Sequence, residues 1–387
     1  MSNPTAAYDL APLAGIALVG ALLATVPVLW VVWRHRASGP AERTAARLRA
    51  LTVLTLCLTF DLVLFGAFTR LTDSGLGCPD WPGCYANASP HGAQVQIEAA
   101  QSALPDGPVT HHKAWIEMIH RYLATGVGAL IVVLAALNWR RRHRASATPW
   151  WAGATLVWVC LQGAFGALTV TMKLYPVVVT AHLLGGMVLL ALLAVQTQLQ
   201  RRAPLALPQT LVRGAIGVAA LSALQIALGG WVSTNYAVLA CSDFPTCQGS
   251  WWPAMDFAHG FALLRELGAG KDGGALPFAA LTAIHYMHRL GAYLVLAAMV
   301  WFAWRLHASG DPALRPWAIA SAAIALWQLA SGLSNVVLGW PLLGAVAHTG
   351  GAAAWATLLA LLITRAALAR PARAQSGAPS RSWQPAP

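Results

Sequence analysis

Four histidines, His120, His182, His288 and His348, each fall close to the start of a long apolar run. The runs that contain His120 and His182 travel in one direction, and so do those that contain His288 and His348. Each histidine is expected in the first two turns, roughly 6 to 9 Å below the outer end of its helix at 1.5 Å per residue. Two imidazoles at equal depth on facing helices can take the two axial positions of a haem iron, and bundle cores are common places for such sites. The residue four positions on is small in every case, Ala124, Gly186, Ala292 and Ala352, which leaves helix surface free beside each ring. A lone membrane histidine can instead serve as hydrogen-bonding glue between helices. Zinc would need three or four close ligands, which only Glu117 or His285 could help to supply.

Three residues before the first histidine of each pair the sequence has Glu117 in one case and His285 in the other. The spacing puts Glu117 on the face of His120, where a carboxylate could pass protons during oxidation of a bound substrate. It could equally partner a histidine or pair with Arg121. Arg70, Arg121 and Arg289 stand at outer helix ends, suited either to bidentate pairing with propionates or to snorkelling toward the interface. Asp61 falls mid-helix, where an acid is expected to be neutral, paired or turned into the bundle. His35, His143 and His307 at inner helix ends, and His91, His111, His112 and His259 in outer loops, read as solvated.

Cys78 and Cys84, and again Cys241 and Cys247, share the spacing C-x5-C in outer loops. An oxidising compartment favours a disulfide within each pair, with metal binding or free, redox-active thiols as the alternatives. The C-x-x-C-H signature of covalent haem attachment is absent from the sequence. Cys57 and Cys160 lie inside apolar runs and read as small core residues.

The elements that must position these residues are membrane helices. Of 387 residues 57% are hydrophobic and 10% charged, and the mean hydropathy is +0.58, too apolar for an ordinary soluble protein. The formal charge of +12 does not point to nucleic acid, because 18 of the 25 Lys and Arg residues sit in short segments on one side of the apolar runs or in the tail. Spans are expected at 11–33, 49–70, 116–138, 150–170, 177–199, 211–233, 281–305, 316–338 and 342–366. The basic segments then place the N-terminus in the periplasm and the C-terminus in the cytoplasm of a bacterial inner membrane. The first span has no basic region before it and is expected to remain as an anchor. Trp251, Trp252 and Pro253, with the stretch to Leu267, are expected to form an interfacial helix that roofs the second site.

The landmarks recur. The cysteine loops lie 163 positions apart, His120 and His288 168 apart, and Gln162 and His182 are matched by Gln328 and His348 at 166. The fold class that follows is an all-α integral membrane protein with nine transmembrane helices, two parallel-repeat four-helix bundles and an additional N-terminal helix. The expected divisions are 1–48 for that helix and its basic loop, 49–205 and 206–370 for the bundles, and 371–387 for a disordered tail.

TRLTDSGLGCPDWPGC at 69–84, WIEMIHR at 115–121, CSDFPTC at 241–247, the following WWPAMDFAHGFALLREL, and IHYMHRLGAYL at 284–294 resemble the haem A synthase family. The resemblance covers about 47–366. It implies an oxidoreductase that converts the C8 methyl group of haem O into a formyl group by successive hydroxylations and loss of water, making haem A for cytochrome oxidase. It further implies that His288 and His348 ligate a resident haem b, that His120 and His182 hold the substrate haem, that Glu117 is the catalytic acid or base, and that both cysteine pairs are disulfides. Haem O and membrane lipid are the implied partners; haem O synthase, oxidase assembly factors and a second copy of the chain are candidates. The family's basic core has eight helices, so the first helix here is a departure. From the histidines alone, a non-enzymatic di-haem electron carrier or a haem carrier or assembly protein would serve as well.

Overall fold

The computed structural model describes residues 10–37, 39–144 and 147–369, and the tail expected to be disordered lies outside them. Among the described residues the regular elements are helices, with isolated bridges in the loops: α1 (Ala11–Arg34), α2 (Pro40–Leu71), α3 (Gln94–Ala103), α4 (His111–Arg140), α5 (Pro149–Thr171), α6 (Pro176–Arg201), α7 (Gln209–Thr234), α8 (Phe257–Gly260), α9 (Phe278–Ala308), α10 (Arg315–Val337) and α11 (Leu342–Ala369). Nine of these, all but α3 and α8, are long and apolar enough to cross a membrane among the described residues. In hydrocarbon only a helix, or a closed barrel, satisfies its own backbone, which is why each apolar run folds this way. Proline in the first turn starts α1, α2, α5, α6 and α10, where its missing N–H costs nothing. The Thr110 hydroxyl caps α4 by accepting from Lys113 N.

α2, α4, α5 and α6 pack around one another, and α7, α9, α10 and α11 repeat the arrangement. Between the halves α6 lies on α11, while α2 meets α11 as α7 meets α6. Such pairing requires a pseudo-twofold axis between α6 and α11. Repeat-equivalent residues meet on it at the outer end: Arg70 donates to the Ser233 carbonyl at 2.6 Å, and the Tyr236 hydroxyl donates to Asp73. The backbone keeps the repeat in detail. Left-handed residues recur as Asp73 with Tyr236, Tyr85 and Ala86 with Gln248 and Gly249, and Lys173 and Leu174 with Gly339 and Trp340.

α1 packs chiefly on α4. Gly20 faces Thr125 and Gly126 faces Leu23 at close range, the small-residue contact by which membrane helices approach. Ile16 on α1 joins a buried cluster with Cys78, Cys84, Ile97 and Met118. The additional helix therefore buttresses α4 and the first cysteine loop.

Three expectations need correction. Trp251 to Leu267 is not an interfacial helix; only Phe257–Gly260 is helical, capped by Asp256. The segment is tied down instead by long-range bonds, with Trp231 Nε1 donating to the Gly260 carbonyl (2.9 Å) and Arg265 donating to Asn235 (2.6 Å). Cys57 and Cys160 are exposed on the bundle surface rather than in its core. Asp61 is exposed rather than turned into the bundle, and no hydrogen bond or ion pair to it occurs among the described residues.

Candidate functional site

Each of the four histidines lies against a glycine on the helix that precedes its own in the bundle. A Cβ at Gly66 on α2 would stand 3.1 Å from Nε2 of His120, one at Gly166 on α5 3.6 Å from Cε1 of His182, one at Gly229 on α7 3.0 Å from Cε1 of His288, and one at Gly332 on α10 3.2 Å from Cε1 of His348. Glycine inside a helix costs about 1 kcal/mol relative to alanine. Its recurrence at repeat-equivalent positions, 66 with 229 and 166 with 332, thus marks a space that a side chain would take from the ring. His120 and His182 are within electrostatic reach of each other, as are His288 and His348. Ala124, Gly186, Ala292 and Ala352 are half-buried. Imidazole pairs backed by glycine and followed by small residues fit two porphyrins with axial histidines.

The helices that carry His120 and His288 begin earlier than expected. α4 starts at His111 and α9 at Phe278, so His120 and His288 lie about 14 and 15 Å into their helices, at 1.5 Å per residue. His182 and His348 are each about 9 Å in. The longer members of each pair project beyond their partners and carry the cysteine loops.

The two pairs differ in what holds the rings. Ser331 Oγ lies 2.9 Å from Nδ1 of His348, and Gln328 donates to the His348 carbonyl (2.9 Å). The Gln225 amide lies 2.9 Å from both Nδ1 and the carbonyl oxygen of His288. In the N-terminal pair His182 Nδ1 is buried with no partner among the described residues. His120 has a stacked Phe65 ring 6.3 Å away, and no hydrogen bond to its imidazole occurs among the described residues.

Glu117 and Arg121 form one unit with the first cysteine loop. Glu117 is 4% exposed; Oε2 accepts from Cys78 N at 2.8 Å and Oε1 pairs with Arg121. Arg121 also donates to the carbonyls of Asp80 and Pro82 at 3.0 and 3.1 Å. The C-terminal half builds the same unit with His285, whose Nδ1 faces Cys241 N (3.4 Å) and whose Nε2 faces Arg289 Nε (3.3 Å). Arg289 donates to the carbonyls of Cys241, Asp243 and Thr246. Both arginines thus spend donors on loop carbonyls. Arg70 stacks on Tyr236 at 4.1 Å and bonds Ser233, and so holds the junction between halves. Asp80 and Asp243 cap the two loops from within; the Thr246 hydroxyl, then Gly249 N–H, draw the Asp243 carboxyl down to about 2.

Both disulfides are formed, Cys78 to Cys84 and Cys241 to Cys247. Alkylation of denatured protein should therefore add two groups without reductant, on Cys57 and Cys160, and six after reduction, read by intact mass. More than two groups without reductant would count against the bridges.

Sequence reasoning missed the four glycines, Gln225 and Ser331. The repeat offsets of 163, from the cysteine loops, and 166, from His182 and His348, would have found the glycines, had they been applied to every position. No such signal existed for Gln225 and Ser331, because the other half has Leu62 and Phe165 there.

Residues 49–363 match the COX15-CtaA family, described as cytochrome oxidase assembly protein. The chain is 39% identical over 324 residues to a protein of Shewanella oneidensis named heme A synthase, covering 80% of this chain and 93% of that one. Heme A synthase of Methylobacterium radiotolerans is 28% identical over 332 residues (80% and 88%), and that of Halalkalibacterium halodurans 25% over 296 residues (74% and 86%).

Proposed function

The chain belongs to the COX15-CtaA family of cytochrome oxidase assembly proteins, and from that membership we propose that it is a multi-pass membrane oxidoreductase that makes haem A from haem O, its two histidine pairs dividing the work. The observation that carries this reading is the duplicated, glycine-backed pair of imidazoles whose two copies differ in what surrounds them. In it His120 and His182 hold haem O as substrate, and His288 and His348 hold haem b. Residues 49–205 form the substrate half and 206–370 the haem b half. The N-terminus is periplasmic and the C-terminus cytoplasmic, so both disulfide loops face the oxidising side.

Oxidising a methyl group to a formyl group withdraws four electrons and releases protons. Bound haem b supplies one-electron redox chemistry beside the substrate. The protein's part is to orient and to manage protons. Glu117, three residues before His120, is the carboxylate placed for proton transfer on the substrate side. Arg121 and Cys78 N–H fix both of its oxygens. His285 takes the same place beside haem b, where no carboxylate is required. The disulfide loop, clamped by Arg121 and backed by α1, keeps the outer end of α4 from fraying and the carboxylate in register.

The test is co-expression with a source of haem O, followed by haem extraction and chromatography. Haem A, or its hydroxylated precursor, should appear only when this chain is present. Unchanged haem O in cells that hold the folded, haem-loaded protein would defeat the assignment in favour of a carrier.

A further inference from the structure

We propose that Gln225 and Ser331 are positioning residues that lock the imidazoles of the C-terminal pair for a resident haem, and that Leu62 and Phe165, at the equivalent positions, leave the N-terminal pair free to turn and exchange its porphyrin. The proposal rests on the haem reading above and adds the means by which one fold makes a retaining site and a releasing one.

Ser331 decides the tautomer of His348. Its hydroxyl proton is given to the Trp327 carbonyl at 2.7 Å, so the oxygen turns a lone pair toward Nδ1, 2.9 Å away. Nδ1 must then carry the ring proton, and Nε2 keeps the lone pair that binds iron. Gln225 holds His288 by another contact: its amide nitrogen donates to the His288 carbonyl and lies 2.9 Å from Nδ1 as well, which ties the ring to its own backbone. Gly291 makes the room, since any Cβ there would collide with the Gln225 amide.

The N-terminal half lacks all three devices. Leu62, Phe165 and Leu123 stand where Gln225, Ser331 and Gly291 stand in the other half. His182 Nδ1 has no partner among the described residues. His120 directs Nε2, the atom a porphyrin iron would need, at Gly66. Among the described residues no hydrogen bond to the His120 imidazole resists a turn of that ring. A ligand that turns freely and lacks a partner behind it releases its metal more readily.

The experiment uses the full-length purified protein in a His120→Ala background, so that only the C-terminal pair binds haem. Ser331→Ala should raise the midpoint potential, because the lost acceptor lowers the basicity of the His348 ring. It should also speed haem transfer to apomyoglobin roughly ten- to a hundredfold, and Ser331→Thr should restore both. In an otherwise wild-type chain, Phe165→Ser should slow transfer from the N-terminal pair. A Ser331→Ala protein with unchanged potential and transfer rate overturns the locking role, and unchanged exchange in Phe165→Ser overturns the releasing role. If the parent His120→Ala protein shows no low-spin bis-histidine haem signal, the haem reading itself fails.

Discussion

Glu117→His should leave haem binding and both disulfides intact while conversion of haem O to haem A falls by about a hundredfold or more, the usual loss when a general acid or base is removed. Histidine is the informative replacement because His285 already occupies this position in the other half, facing Cys241 N and Arg289 as Glu117 faces Cys78 N and Arg121. The loop therefore has a built precedent for the substitution. Glu117→Gln serves less cleanly, since one of the two donors now bound to carboxylate oxygens would meet an amide NH2, at a cost of about 1–3 kcal/mol. Haem content by absorption and alkylation by mass would confirm an intact fold. Wild-type turnover in Glu117→His would leave the carboxylate a purely structural part.

The glycines should yield a graded series. Gly229→Ala puts a methyl group 3.0 Å from Cε1 of His288, tighter than ordinary contact, whereas Gly166→Ala puts one 3.6 Å from His182, which is ordinary contact. Overpacking of this kind costs roughly 1–3 kcal/mol, equivalent to about ten- to a hundredfold in haem affinity. Gly229→Ala should therefore be purified with much less haem, Gly332→Ala with a smaller deficit, and Gly166→Ala with nearly the wild-type amount. Alanine would ordinarily stabilise a helix relative to glycine, so loss of haem from a chain of unchanged or raised melting temperature would isolate the ring contact as the cause. Equal haem content across the series would mean that the rings do not depend on these spaces.

Much of the architecture was legible because two signals were strong: apolar runs of spanning length and landmarks repeated at fixed offsets. Both fail where polar and apolar no longer separate inside from outside. Cys57, Cys160 and Asp61 are exposed, and sequence alone placed the cysteines in the core, since a helix in lipid is apolar on both faces. The start of α4 was set too late because His111, His112 and Lys113 continue the helix beyond its apolar part. The roles of Arg121 and Arg289 were hidden for another reason: their carbonyl partners lie about 40 residues away in loops, and no periodicity encodes such a contact. The histidine pairing was read from topology, but the glycines behind the rings were lost among 34 in the chain.

The meeting of equivalent residues on the pseudo-axis also bears on how such a molecule can arise. Were the two halves identical subunits, position 70 would oppose itself, and two arginine cations would crowd the same seam. Position 73 would likewise set acid against acid or phenol against phenol. The arginine with serine, and the aspartate with tyrosine, are arrangements open only to unlike halves. Joining the halves in one polypeptide guarantees that unlike always meets unlike, and fixes one retaining site for every releasing site, a ratio that free association of separate pieces would leave to chance.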